Sequence, residues 1–326
     1  LVALGEGRWL SGILLAGATL GLTALTFWLA VVTAQRLYYS GWAGMQVVAR
    51  KKNMPASRKT YRARTSTGLT GLLPKPVFAI LQKDFLTLRR DLRNLSQLIS
   101  PLILGIVYTL LLLRGSGEAP AGQGEAPDWF MNSFQVVMTY SSVGMSLFVG
   151  WMLLSRLAGM GFSHEGKNYW MLKVSPVHVW QLLASKFLVA YLPTLGLGLV
   201  FLTVISIMQG LSIGEFVYSF MAIVMCLAGM TGMLLAFGVA GANFNWDDPR
   251  KMNSGIMGCF GQIVTVIYLP ISFGLFIAPL GFAQFLEFPL IYGYLIGLIL
   301  GSAFAAGFTI IPLWLVRKRV ARLGTE

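Results

Sequence analysis

The chain has 326 residues, of which 56% are hydrophobic and only 11% are charged, and its mean hydropathy is +0.70. A soluble globular domain carries about 25% charged residues, so the composition argues against an ordinary soluble fold and indicates the lipid bilayer as the solvent. The net charge of +13 would suit nucleic-acid binding only if the basic residues formed one surface.

Seven uncharged stretches of the sequence are long enough to cross a membrane. A transmembrane helix needs about 20 mainly apolar residues, and none of these stretches alternates as a β-barrel strand does. The predicted spans are Trp9–Gln35, Asn94–Leu113, Phe134–Ser155, Phe187–Gln209, Phe216–Trp246, Met252–Leu286 and Phe288–Val316. The sequence therefore predicts an all-α, polytopic membrane helix bundle with seven transmembrane helices.

Lysine and arginine are distributed unevenly between the predicted loops. Twenty-three of the 25 lie in stretches on one side of the membrane, and only Arg8 and Arg114 fall on the other side. By the positive-inside rule, the basic side is cytoplasmic, the N-terminus is outside and the C-terminus is inside. The basic charge is thus a topology signal, no nucleic-acid partner is predicted, and the expected location is the bacterial inner (plasma) membrane.

The predicted spans contain no Asp, Glu, Lys, Arg or His. A charged group at the centre of a span costs about 2.5 to 3.5 kcal/mol on insertion scales, so such groups persist mainly where function needs them. Their absence argues against a proton-coupled secondary transporter and an intramembrane metalloprotease, although a sodium site built from carbonyls and hydroxyls stays open. A secondary transporter and a polytopic membrane enzyme remain the alternatives that need no ATPase partner.

Small residues recur on one face of the last predicted span. Gly293, Gly297 and Gly301 are four residues apart, and such stripes allow two helices to approach closely. Packing within one bundle is the favoured interpretation, and a seam between two copies of the chain is the alternative.

A predicted amphipathic interface helix, residues 76–95, precedes the second span and follows a basic cytoplasmic linker, residues 39–75. Val77, Leu81 and Phe85 share one face of this helix. Its charged residues are Lys83, Asp84, Arg89, Arg90, Asp91 and Arg93. Both a lever between the cytoplasm and the bundle and a simple anchor in the membrane interface fit this pattern.

The stretch SHEGKNYWMLKVSPVHVWQLLASKF lies between the third and fourth predicted spans. Ser175 followed by Pro176 is a helix start signal, and it predicts a helix that continues into Phe187–Gln209. The tripeptide EGK is interpreted as lacking both the upstream glycine and the Ser or Thr after the lysine that a phosphate-binding loop requires. The sequence therefore predicts no catalytic, cofactor or metal site in this chain.

Three segments resemble one known family: HEGKNYWMLKVSPV, KDFLTLRRDLRNLSQLISP and NFNWDDPRKMNSG. They are similar to the permease subunits of ABC-2-type exporters, in particular the large bacterial ABC exporter permeases. The resemblance covers residues 76–326 and implies an interface helix, six spans and a short coupling helix that contacts a separate ATPase subunit. ATP and Mg²⁺ would then bind to that partner, and this chain would be a transporter permease rather than an enzyme.

The resemblance leaves residues 1–38 as an additional span ahead of the six-span unit. We expect this span to be the last of a missing N-terminal half, with the second permease half either in the same chain or in a homodimer. The residues expected to couple to the ATPase are Glu165, Gly166, Lys167, Tyr169, Trp170, Lys173, Ser175 and Pro176. Aromatic anchors are typical of binding hot spots and charges fix register, although Tyr169 and Trp170 would also suit the lipid headgroup layer.

Overall fold

A computed structural model describes nine positions between residues 17 and 32 and the ranges 74–90, 99–107, 139–244, 256–286 and 288–323. The chain divides into two compact units, Leu1–Thr65 and Ser66–Glu326. In the first unit the nine described positions are helical. Of the predicted linker 39–75, only Pro74 and Lys75 lie among the described residues, and Lys75 is already helical. Asp91 and Arg93 also lie outside the described residues.

In the second unit, all the regular secondary structure of the described residues is helical. The helices with defined bounds are α1 (Lys75–Arg90), α2 (Ser141–Leu157), α3 (Tyr169–Val174), α4 (Val179–Gln209), α5 (Ile213–Ala240), α6 (Ile256–Phe285) and α7 (Leu290–Arg322). A 3₁₀-helix, Ser163–Asn168, leads directly into α3, and residues 99–107 are also helical. No strand occurs in these ranges, which confirms the predicted all-α class.

Four of the seven predicted spans are confirmed as helices long and apolar enough to cross a membrane, namely α4, α5, α6 and α7. The predicted span Phe134–Ser155 corresponds to α2, which has 17 described residues and is shorter than those four. The predicted spans Trp9–Gln35 and Asn94–Leu113 lie largely outside the described residues. Within the described ranges the structure therefore gives four candidate spans, where the whole sequence predicts seven.

Capping side chains fix both ends of the connection between α4 and α5. Gly210 ends α4 with φ of 65°, a left-handed conformation that glycine adopts without a steric penalty. Ser212 then accepts a hydrogen bond from the backbone N–H of Glu215, whose carboxylate accepts one from the N–H of Ser212. This capping box makes the turn short, so the two helices lie side by side.

Helix α5 is the central element of the bundle. In the most apolar 18-residue stretch of α5, 67% of the residues are buried, against 17% in the corresponding stretch of α7. It packs against α7, α6, α4 and α2, and its fully buried side chains include Ile223, Leu227 and Met230. The outer faces of α6 and α7 carry exposed large apolar residues, as expected of helices whose solvent is lipid.

The glycine stripe of α7 faces the chain's own bundle. Gly293, Gly297 and Gly301 are buried, and a methyl group added at each would meet Pro279, Phe276 or Tyr218. The stripe thus lies against α6 and α5, where the favoured packing interpretation expects it. Gly232 of α5 makes a similar approach, because a methyl group there would lie 2.7 Å from the Cα of Thr309 in α7.

Helix α1 is the predicted interface helix, and its described part packs against α4. Its most buried residues are Val77 and Ile80, at 2% and 6% exposure. Ile80 is absent from the predicted apolar face, while Leu81 and Phe85 are only half-buried. The buried face of α1 differs from the predicted one because α1 packs against α4 through the side that carries Ile80 and Asp84.

Candidate functional site

Four charged side chains from three separate elements meet in one ion-pair network. Lys83 and Asp84 come from α1, Glu165 from the 3₁₀-helix and Lys186 from α4. The ammonium group of Lys186 lies 2.5 Å from Oε1 of Glu165 and 2.8 Å from Oδ2 of Asp84. Lys83 donates to both carboxylate oxygens of Glu165, at 2.6 Å and 2.8 Å. Two positive and two negative groups balance, so the network carries no net charge.

Burial distinguishes this network from an ordinary surface ion pair. The side chain of Lys186 is 4% exposed, those of Asp84 and Glu165 are 11% exposed, and that of Lys83 is 43% exposed. Exposed pairs contribute roughly 0 to 1 kcal/mol. Breaking a buried pair costs about 3 to 5 kcal/mol, because a charge is left without compensation. Lys186, Asp84 and Glu165 therefore depend on one another to remain buried, while Lys83 closes the network on its exposed side.

Helical periodicity brings Asp84 and Lys186 to the inner faces of their helices. Val77, Ile80 and Asp84 are separated by three and four residues, so they share one face of α1. Leu183, Lys186 and Ala190 have the same spacing and are buried in α4. Asp84 and Lys186 thus each lie on the buried, mainly apolar face of their helix. Because these two faces pack against each other, the two side chains come into contact.

The two lysines hold Glu165 in its ionised form. Burial by itself would raise the pKa of this carboxyl, but the charges and hydrogen bonds of Lys186 and Lys83 outweigh it, and the pKa lies below its usual range. Burial by itself would lower the pKa of Lys83. The nearby carboxylates of Glu165 and Asp84 outweigh this effect, so the pKa of Lys83 lies above its usual value. Both shifts widen the pH range in which the network is charged.

Gly166 follows Glu165 and redirects the chain. Its φ of 51° and ψ of −139° belong to a region that residues with a Cβ rarely adopt. The backbone changes direction there, so Glu165 points to α4 while the following residues begin α3. A substitution at Gly166 would therefore disturb the position of Glu165.

Gly161 stands five residues before Gly166, a spacing that the sequence reasoning overlooked. Gly161, Gly166 and Lys167 match a phosphate-binding loop up to the next position, where Asn168 replaces the required Ser or Thr. Such a loop follows a strand and leaves its N–H groups free for phosphate. Here the segment follows helix α2, and the N–H groups of Gly161 and Glu165 donate to Ala158 and Phe162. This geometry does not form a phosphate cradle.

Helix α3 is tied to the ends of α5 and α7. The ring of Tyr169 stacks on Phe244 with centroids 4.6 Å apart, and Lys173 donates to the carbonyl of Leu323 at 3.0 Å. Tyr169 is only 5% exposed, and burial raises its pKa to about 12. The ring of Tyr169 is thus covered by Phe244, which follows the end of α5, and its role as an anchor for the ATPase stays a prediction.

The outer face of α3 is apolar and exposed. Trp170, Met171 and Val174 are 59%, 58% and 76% exposed, and positions 170, 171 and 174 share one side of a helix. Lys167 is exposed beside them. Trp170 thus remains accessible as the sequence analysis expected, whereas Glu165 contacts lysines of its own chain. That Glu165 also contacts a partner stays a prediction.

The predicted helix start at Ser175 and Pro176 is wrong. Helix α4 begins at Val179, and His178 is its N-cap: its Nδ1 accepts a hydrogen bond from the N–H of Trp180. Gln181 completes the capping box through the N–H of His178. The hydroxyl of Ser175 instead donates to the carbonyl of Leu172, so that it closes α3 rather than opening α4.

Lys186 is the residue of the network that the sequence analysis missed. The predicted span began at Phe187, which excluded this lysine, whereas α4 begins at Val179 and contains it. The sequence did contain one indication that Lys186 is buried, because it lies at helical spacing between the apolar residues Leu183 and Ala190. Of the other predicted residues, Arg89 and Arg90 belong to α1. In the described part of the chain, no three His, Cys, Asp or Glu residues form a metal-binding group.

Comparison with known proteins gives one finding. Residues 1–323 match a family described as "Putative ATP-binding cassette". The chain belongs to this family. The match covers almost the whole chain and links it to the ABC transporters, but its description is that of an ATP-binding cassette and not of the ABC-2-type permeases that the sequence resembles. No curated protein and no solved structure matches the chain, so this family and the geometry carry the functional argument.

Proposed function

We propose that this chain is the membrane-spanning permease subunit of an ABC exporter, and that a separate subunit binds and hydrolyses ATP. Membership of an ABC family and four membrane-length apolar helices support this role. The absence of a phosphate cradle at Gly161–Lys167 supports a partner as the source of energy.

The observation that carries the proposal is the connection between the exposed face of α3 and the interior of the bundle. Trp170 and Val174 are open to a partner, while Glu165, just ahead of α3, is held by Lys186 in α4. Tyr169 and Lys173 link α3 to the ends of α5 and α7. Movement of a partner at α3 would thus reach three long helices through short contacts.

Helix α1 takes part in the same connection through Lys83 and Asp84. This favours the lever interpretation of the interface helix over the simple anchor, because an anchor needs no buried charges shared with a loop 82 residues away. The network would keep α1, the 3₁₀-helix and α4 moving as one unit during a transport cycle.

The first step of the test is to establish whether the neighbouring reading frame encodes an ATPase, and that ATPase is then co-expressed with the full chain. Trp170→Ala should reduce its co-purification at least about tenfold, since aromatic hot spots contribute about 2 kcal/mol or more to binding. Trp314→Ala is the matched control, because Trp314 is similarly exposed at 50% but lies on α7. Both variants must first show normal insertion and expression.

A second variant separates docking from coupling. Lys186→Met is assayed at a temperature at which its unfolding curve shows that it is still folded. There it should leave co-purification unchanged but reduce the ATP hydrolysis that depends on transport, since the Lys186 side chain is buried and cannot touch a partner. Unchanged association for Trp170→Ala would remove α3 from the interface. Transport by the chain alone in proteoliposomes, driven by an ion gradient, would favour a secondary transporter instead.

A further inference from the structure

An open cavity of about 960 Å³ lies where the start of α3, residues 242–244 and the last turns of α7 meet. Its volume falls within the range of roughly 300–1,000 Å³ found for small-molecule sites. Lysine and arginine dominate its polar lining: the basic residues are Lys167, Lys318, Arg319 and Arg322. No acidic side chain of the described residues lines it. This cavity, here named the basic groove, therefore favours an anion.

The α7 wall of the basic groove is one continuous helix face. Leu315, Lys318, Arg319 and Arg322 follow one another at helical spacing, and all four line the groove. Lys318 and Arg319 have no ion-pair partner among the residues that the structure describes. Their charges are thus available to a ligand.

The apolar side of this wall continues into the lipid-facing surface of the bundle. Ile311 and Leu315 are 59% and 64% exposed on a membrane-length helix, and Leu315 also lines the basic groove. Arg317 lies 4.8 Å above the ring of Trp314, and tryptophan is typical of the membrane interface. The groove therefore lies where the apolar surface of α7 meets the basic end of the same helix.

We propose that the basic groove binds the phosphate headgroup of an anionic phospholipid. The phosphodiester would contact Lys318 and Arg319, while an acyl chain would lie along Ile311 and Leu315. Basic clusters at the membrane surface attract anionic lipids, and the continuous apolar track distinguishes a lipid from free phosphate. An acidic protein surface would pair with the basic side chains but would not need the exposed apolar surface of Ile311 and Leu315. This site does not depend on the transport function proposed above.

The experiment measures binding of soluble dioctanoyl phosphatidylglycerol to the purified full chain in a neutral detergent, by isothermal titration calorimetry. Dioctanoyl phosphatidylcholine, inorganic phosphate and ATP are the comparison ligands. The variant Lys318→Gln/Arg319→Gln removes two charges from the groove. Lys75→Gln/Arg317→Gln removes one lysine and one arginine elsewhere and is the matched control, because neither residue lines the groove.

We expect saturable binding of phosphatidylglycerol to the unmodified chain and to the control variant. The groove variant should bind it about 30-fold more weakly, since each basic residue near a membrane surface contributes about a factor of five. Phosphatidylcholine should bind at least about tenfold more weakly than phosphatidylglycerol to the unmodified chain. Lys318→Gln alone should give an intermediate loss, which keeps the test decisive if the double variant is unstable.

Four results would overturn the proposal. Equal affinity of the groove and control variants would show that the lipid binds elsewhere. Equal affinity for inorganic phosphate or ATP would show a free-anion site. Absence of lipid binding, together with loss of ATPase co-purification in the groove variant, would assign the groove to a protein partner. Because Asp247 and Asp248 follow Phe244 in the sequence, Asp247→Asn/Asp248→Asn is also measured; binding only in that variant would mean that the chain's own acids occupy the groove.

Discussion

Lys186 and Glu165 are 21 residues apart in the sequence, and their charged groups are 2.5 Å apart in the structure. Lys186 also contacts Asp84, which lies 102 residues away. A single buried ammonium group thus joins α1, the 3₁₀-helix and α4. The predictions below test what this contact and the close helix packing contribute.

Lys186→Met should destabilise the folded chain by about 3 to 5 kcal/mol, because Asp84 and Glu165 would stay buried with only Lys83 to compensate them. Lys167→Met is the matched control: Lys167 is exposed, and its loss should change stability by less than about 0.5 kcal/mol. Thermal unfolding in detergent measures both. Equal unfolding midpoints for the two variants would mean that the network contributes no stability.

The stability should fall in acid through Glu165. Its folded-state pKa lies below the ordinary value of 4.5, so the unfolded chain binds the proton more readily. This contribution is fully present above pH 4.5 and is lost as the pH falls through the lower folded-state pKa. Unfolding midpoints measured across this range should drop more steeply for the unmodified chain than for Glu165→Gln. Parallel curves would contradict the assignment.

Lys83 gives the opposite dependence at alkaline pH. Its folded-state pKa lies above the ordinary value of 10.5, so its contribution is complete below pH 10.5 and is lost as the pH rises through the higher folded-state pKa. The effect should be smaller than that of Glu165, because 43% of the Lys83 side chain is exposed. Lys83→Met in the same unfolding series should remove it.

Gly232→Ala should lower the unfolding midpoint. The added methyl group would lie 2.7 Å from the Cα and 2.8 Å from the carbonyl oxygen of Thr309, and backbone atoms of α7 cannot move aside as a flexible side chain can. Overpacking of this kind costs about 1 to 3 kcal/mol. Gly274→Ala in α6 is the matched control, since no atom lies within 4 Å of its added methyl group, and it should be neutral or slightly stabilising. Equal effects of the two changes would contradict the close approach of α5 and α7.

The sequence by itself determined the all-α class, the four confirmed membrane-length helices and the amphipathic character of α1. These properties follow from composition and periodicity, because a segment that enters lipid must satisfy its backbone hydrogen bonds internally. The apolar stripe of α4 even marked the position of Lys186. The local pattern did not determine where α4 begins, because Ser175 and His178 are both able to cap a helix. In the structure the hydroxyl of Ser175 donates to the carbonyl of Leu172 in α3, and His178 caps α4.

Only the tertiary structure decided which charges pair and which glycines meet a neighbour. Lys83 could be read as a surface charge of α1 until the packing of α1 on α4 brought Glu165 within 2.6 Å of it. Likewise the stripe of Gly293 and Gly297 specified a close approach but not its partner, which is α6 and α5 of the same chain. Contacts between distant residues depend on how whole helix faces fit together, and no short segment of sequence contains that information.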